Sequence, residues 1–187
     1  MPYPQQVTGK RIIAAARQLI EAEGADQLSL AVLAAALNVK APSLYRYFSS
    51  KTELIRAVNT STLSELVEAL MQAVQQAEAQ PHAQLIALAK TYRAYAHAHP
   101  ATYMLAFSSA DPALQPDASY AEGLALPLQR LIGQISGEAQ SLPALRGALA
   151  IIHGFTALEI SGQFRRGGDL DQAFEAVIDT YLRGWVN

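Results

Sequence analysis

Apolar residues in this chain recur every three or four positions and almost never every two, and that period limits the fold more than any single motif does. Ile12, Ala16, Leu19 and Ile20 make one stripe, and Leu85, Leu88, Ala89, Tyr92, Tyr95 and Ala96 make another. Such spacing gathers side chains on one face of an α-helix, whereas a half-buried strand needs strict alternation. No segment alternates convincingly, so an all-α fold is expected. Breaks at Gly24, Pro81, Pro100, Pro112, Pro116, Pro143 and Gly167-Gly168 fall where one helix should stop and the next begin. They predict about nine helices.

Helix starts follow from capping chemistry. Ser50-Lys51-Thr52-Glu53 matches a capping box, in which the serine oxygen takes an orphan amide and the glutamate reaches back. Thr8 and Ser29 are placed to cap two earlier helices, and Asp169-Leu170-Asp171-Gln172 to start the last one. A helix from Lys51 that continues through Leu63, Leu66, Leu70 and Val74 would be a strut joining the front of the chain to its body. Ser108 to Asp117 carries two prolines, two aspartates and no helical period, and reads as a loop long enough to move.

Charge is unevenly placed. The net formal charge is −2, yet residues 1–56 hold seven lysines and arginines against four acids, +3, while the remainder holds seven against twelve, −5. A basic front on an acidic body suits an anionic partner at one end only. With 51% hydrophobic and 16% charged residues the chain has ample material for a packed core. It contains no cysteine, which excludes disulfides, thiolate zinc sites and thiol nucleophiles and fits a reducing compartment. Met1-Pro2-Tyr3-Pro4-Gln5-Gln6 has no signal-peptide character, and no run approaches the roughly 18 apolar residues of a spanning helix. A soluble cytoplasmic protein with no membrane partner is expected.

The first 50 residues read as three short helices, about 8–23, 29–37 and 42–48, with Asn38-Val39-Lys40 as the tight connection between the last two. Asparagine tolerates the left-handed conformation that such a turn demands. Leu33, Leu37, Val39, Leu44 and Phe48 supply inward apolar groups. Ser43, Tyr45, Arg46 and Tyr47 are left outward, with Lys51 at the next helix start. Hydroxyls and cations crowded together in this way suit phosphates and base edges. The division expected is a DNA-binding domain over 1–50 and a helical core over 51–187.

Ile12-Ile13-Ala14-Ala15-Ala16, Glu23-Gly24, Leu28-Ser29-Leu30, Leu33-Ala34, Leu37-Asn38-Val39 and Ser43-Leu44-Tyr45-Arg46-Tyr47-Phe48-Ser49-Ser50-Lys51-Thr52-Glu53-Leu54 resemble the TetR family of bacterial transcriptional regulators. The resemblance implies that the helix at 42–48 enters the major groove. It assigns Tyr45, Tyr47 and Lys51 to backbone phosphates and sets Lys40 to Ser43 and Arg46 near base edges. Asn38 stands where the family usually has glycine, and Ala31 where some members carry an arginine.

In the body, Leu145 to Gly162 is apolar almost all round, and Gly147, Ala150, Gly154, Ala157 and Ser161 form a seam of small residues that admits a close helix neighbour. Phe174, Val177, Ile178, Tyr181 and Trp185 on the last helix offer a partner face. The family resemblance implies a homodimer through these two helices. Ile152-His153-Gly154 also resembles the Trp-His-Gly signature of one class of C-terminal regulatory domain in the family, with isoleucine in place of tryptophan. A symmetric dimer would engage palindromic half-sites about 34 Å apart on double-stranded DNA.

Tyr92, Tyr95, Tyr103, Met104 and Phe107, with His97, His99, His153 and Glu159 as polar anchors, are candidates to line a pocket for a small, mostly apolar effector. Packing core is the competing reading of the same stripe. His97 and His99 lie on opposite sides of a helix and His153 and Glu159 do not share a face, so no metal set is expected. No GxSxG elbow, P-loop or HExxH occurs, and neither catalysis nor a cofactor is expected. The reading reached is a repressor controlled by a small effector. The alternative is a helical ligand-binding or adaptor protein that no longer reads DNA.

Overall fold

A computed structural model describes residues 7–185; the N-terminal hexapeptide discussed above lies outside them. The described residues contain no strand and nine α-helices: α1 (Gly9–Glu23), α2 (Leu30–Ala36), α3 (Ala41–Tyr45), α4 (Lys51–Gln76), α5 (Pro81–Ala98), α6 (Pro100–Ser108), α7 (Ala118–Ser136), α8 (Ser141–Ile160) and α9 (Leu170–Arg183). The caps act where the sequence places them. Thr8 Oγ1 accepts from the Arg11 amide at 3.3 Å and Ser29 Oγ from the Val32 amide at 3.1 Å. Asp169 accepts from the amides of Asp171 and Gln172. At α4, Ser50 Oγ takes the Glu53 amide, but the Glu53 carboxylate reaches one residue further back than a capping box requires, to the Ser49 amide and hydroxyl. Those two bonds, the hydroxyl's first, hold the Glu53 pKa below the usual carboxylate value.

The chain divides into two compact units. The first holds the residues up to Leu63 together with His99–Ala118, and the second holds Ser64–Ala98 with Ser119 onward. This differs from the division expected at residue 50, because α6 and the turn after it return to the N-terminal unit. α4 is a single element of 26 residues belonging partly to each, as expected of a strut.

The core of the first unit is built from Ile12, Ala16, Ile20, Leu28, Leu30, Leu33, Leu44, Phe48, Leu54 and Val58, with Leu37 and Val39 packed at its edge. The 108–117 segment is more ordered than its composition suggests. Asp111 caps a single 3-10 turn over Pro112–Leu114, and Asn59 Nδ2 donates to the Leu114 carbonyl at 2.8 Å. Gln115 closes the segment onto the Ser109 carbonyl at 2.7 Å.

The second unit packs α5 against both α8 and α9, and α8 against α9. Leu85, Leu88, Tyr92, Leu128, Ile132, Leu145, Ile152, Phe174, Ile178 and Leu182 form its interior. The stretch Glu138–Ile160 corrects one expectation, since by length and composition it is apolar enough to cross a membrane. It also carries Arg146 and Glu159, and Glu159 is ion-paired within this unit. Within the unit this helix packs against α5 and α9. Gly147 has a local reason: a Cβ there would stand 2.2 Å from Tyr181 Oη, whose hydroxyl donates to the Ala144 carbonyl at 2.7 Å.

Candidate functional site

The turn between α2 and α3 is set by one residue. Asn38 has φ of 53°, the only positive φ outside glycine among the described residues. Around it, the Val39 amide donates to the Ala34 carbonyl and the Asn38 amide to the Ala35 carbonyl, the paired bonds of a Schellman stop. Pro42 then pre-sets the first turn of α3. The local sequence thus ends one helix, reverses direction in three residues and starts the next.

Burial of Leu44 and Phe48 fixes which side of α3 faces out. Tyr45 is 56% exposed and Arg46, Lys40 and Lys51 are exposed with it, while Ser43 is half-buried. Two of the six residues singled out from sequence are also internal anchors. The Tyr47 hydroxyl donates to the Val7 carbonyl at 2.6 Å, and Lys51 Nζ donates to the Asp26 carbonyl at 3.1 Å. Lys51 has further N–H groups to offer a phosphate, but a tyrosine has one O–H and here it is engaged. The Arg46 guanidinium lies 5.9 Å from the Tyr47 ring centroid.

The residues expected around an effector are divided between the units. Tyr103, Met104 and Phe107 lie on α6 in the first unit, with Tyr103 fully buried and its ring 5.1 Å from that of Phe107. Tyr92, Tyr95, His153 and Glu159 belong to the second. His153 is half-buried, and burial pushes its pKa down. Glu159 faces a cluster in which sequence reasoning named His97 but missed Arg93 and Asp171, because the α5 members, Arg93 and His97, are more than sixty residues from Glu159 and Asp171. Arg93 binds Glu159 through two nitrogens, the Nε contact at 2.7 Å, and Asp171 through a third at 2.7 Å. His97 Nε2 sits 2.8 Å from Glu159 Oε2. The Arg93 guanidinium also lies 5.1 Å from the Phe174 ring centroid. Its hydrogen bonds and charge hold Glu159 at a pKa of about 2, and the same pairing raises Arg93 above its ordinary value.

These groups line a cleft of about 460 Å³ between α5, α8 and α9. A separate apolar void of about 20 Å³ is walled by Leu85, Leu128, Ile132, Leu149 and Tyr181. Among the described residues no three His, Asp or Glu side chains converge as a metal site.

Of the residues expected between subunits, Phe174 and Ile178 are 1% and 3% exposed and face the chain's own core. The last helix therefore buries Phe174, Ile178 and Leu182 and turns Val177 outward, so the predicted single face is two faces. Tyr181 is half-buried, as are Gly154 and Ala157, whereas Ala150 and Ser161 are exposed. Leu142, Leu158 and Phe164 are exposed too.

A three-helix unit with an asparagine-set turn, a short third helix, α3, presenting tyrosine and arginine at its end, and an excess of positive charge defines a helix-turn-helix transcriptional regulator. Residues 12–58 match the family described as "Bacterial regulatory proteins, tetR family", and residues 85–181 match "Tetracyclin repressor-like, C-terminal domain". The chain belongs to the TetR family of bacterial transcriptional regulators, and the matched families are regulators, not enzymes.

An uncharacterized HTH-type transcriptional regulator of Mycobacterium tuberculosis, Rv0681, is 32% identical over 164 residues, spanning 85% of this chain and 73% of that protein. A protein of unknown function from Rhodococcus sp. RHA1 superposes with a TM-score of 0.81 at 28% identity, covering 100% of both chains. A TetR variant from Acinetobacter baumannii AYE, solved in complex with minocycline, has a TM-score of 0.72 at 21% identity over 95% of this chain and 96% of its own. At that identity the last likeness concerns the fold.

Proposed function

We propose that the chain is a cytoplasmic repressor that reads a palindromic operator as a homodimer and leaves it when a small effector binds the second unit. The observation that carries DNA reading is the exposure of Lys40, Tyr45, Arg46 and Lys51 around α3, whose inward face is committed to the core. Arg46 and Lys40, with Ser43, face bases; Tyr45 and Lys51 face phosphates. Tyr47 acts by holding Val7 against the recognition helix, since its hydroxyl proton is already donated there.

Dimerisation uses the outward faces of α8 and α9, where Ala150, Gly154, Leu158, Ser161 and Val177 leave small and apolar surface uncovered by the chain itself. A single helix-turn-helix binds weakly, and two related by a two-fold axis add their phosphate contacts. The effector site is in the second unit. Its interior is apolar around the void walled by Leu85, Leu128 and Ile132, which suits a small, mostly apolar ligand that opens this space on binding. By analogy of fold, the Acinetobacter protein holds minocycline.

Selection of binding sites from a random duplex library with purified protein at stated salt tests the reading. The expected result is a short palindrome with one half-site spacing. Absence of any enrichment over non-specific binding would reject DNA reading by this chain.

A further inference from the structure

The start of α6 is capped from another helix. Its own N-cap residue, His99, makes no side-chain capping bond, so its first amides need acceptors from elsewhere. Glu21 of α1 supplies them: its carboxylate accepts from the Ala101 amide at 3.0 Å, the Thr102 amide at 2.9 Å and the Thr102 hydroxyl. Thr102 is fully buried, and all these residues belong to the first unit.

The position costs α1 something. Glu21 lies in that helix's last turn, which carries no basic residue, and a carboxylate there opposes the helix dipole, whereas at the start of α6 it complements one. The bond set therefore serves the junction between the helices. α6 is also where the chain re-enters the first unit, at His99, directly after α5 ends at Ala98.

We infer that Glu21 is a positioning residue that locks the first turn of α6 to the helix-turn-helix bundle, so that operator occupancy and the entry of the chain from α5 into α6 are linked through its carboxylate. The linkage rests on the DNA reading proposed above; the lock itself does not. Linkage is reciprocal, so a group that transmits effector binding to the operator must also transmit operator binding to α6.

Amide hydrogen exchange on the full chain, free and bound to the selected duplex, tests both parts. In the free protein, Glu21→Ala should speed exchange at Ala101 and Thr102 about tenfold or more, as expected for loss of a charged acceptor, while the amides of α8 and α9 stay at the wild-type rate and certify the fold. Glu21→Gln, which keeps an acceptor without the charge, should fall between. On wild type, the operator should further slow Ala101 and Thr102, and in Glu21→Ala that slowing should vanish although the duplex still binds. Unchanged exchange in free Glu21→Ala and Glu21→Gln overturns the lock. Operator-induced slowing that is missing in wild type, or that survives in Glu21→Ala, overturns the linkage and leaves only a structural cap. A wild-type chain that binds no duplex rejects DNA reading, and the linkage with it, without touching the free-protein result.

Discussion

Glu159→Gln should destabilise the second unit at neutral pH and cease to matter in acid. Glu159 and Arg93 are 11% and 15% exposed, and the pair is held by two hydrogen bonds, so screening by water is modest. The carboxylate pKa falls from an ordinary 4.5 to about 2 in the folded chain. That difference corresponds to about 3 kcal/mol at about 1.4 kcal/mol per pH unit. A depressed folded pKa contributes stability that is present above the unfolded value and is lost as pH falls through the folded one. The window therefore runs from about pH 4.5 down to about pH 2. Glutamine keeps the shape and removes the charge, leaving Arg93 paired only with Asp171, which is 80% exposed. Urea unfolding of wild type and Glu159→Gln, followed by circular dichroism, should show a gap of about 3 kcal/mol at pH 7 that shrinks to about half by pH 3. The difference between the proteins cancels other titrating carboxylates. A gap of the same size at both pH values, or none at pH 7, would refute the electrostatic account of this cluster.

Lys51→Ala should weaken binding to all duplexes alike and reduce the salt slope by about one unit, whereas Arg46→Ala should cost about 1–3 kcal/mol and relax preference at one position per half-site; titrations at several salt concentrations separate the two. Leu158→Asp, on a side chain 45% exposed, should leave the subunit's helicity intact and convert dimer to monomer in sedimentation velocity. Gly147→Ala should lower the melting temperature in spite of alanine's better helix propensity, since its methyl group displaces the Tyr181 hydroxyl from the Ala144 carbonyl. At Gly154 an added Cβ meets nothing within 4 Å in the single chain, so a Gly154→Ala variant that loses dimerisation would locate the close approach of a second subunit there.

The first unit was the more legible because its signals are local. Thr8, Ser29 and Ser50 act on amides three residues away, and Asn38 sets a turn with its own φ. The inward pair Leu44 and Phe48 is one helical turn apart, so the outward residues between them follow directly. The internal anchoring by Tyr47 and Lys51 has no local signal, because Val7 and Asp26 are forty and twenty-five residues away. In the second unit the informative contacts are all of that distant kind. Helical period identifies α9 as amphipathic but cannot say that Val177 turns away from Phe174 and Ile178, because two neighbours, not one, compete for its apolar surface. Glu159 could be named as a polar residue on an apolar helix, yet Arg93, the group that explains it, carries no sequence mark that sets it apart from any exposed arginine.

That contrast bears on where regulation is placed. Glu21, Thr102 and Asn59 tie the returning segment His99–Ala118 to the helix-turn-helix unit through hydrogen bonds from buried or half-buried groups, at α6 and again at the turn after it. Helices α1 and α4 of the helix-turn-helix unit are thus braced by a segment that sequence order assigns to the body of the protein. The chain crosses between the units within α4 and again at 98–99 and at 118–119. If an effector acts on the second unit as proposed, the two attachments on this one short segment would carry a displacement at its start to α1 and α4. Strengthening or removing either attachment should change how steeply the operator responds to the effector, while the contacts made to the bases stay as they are.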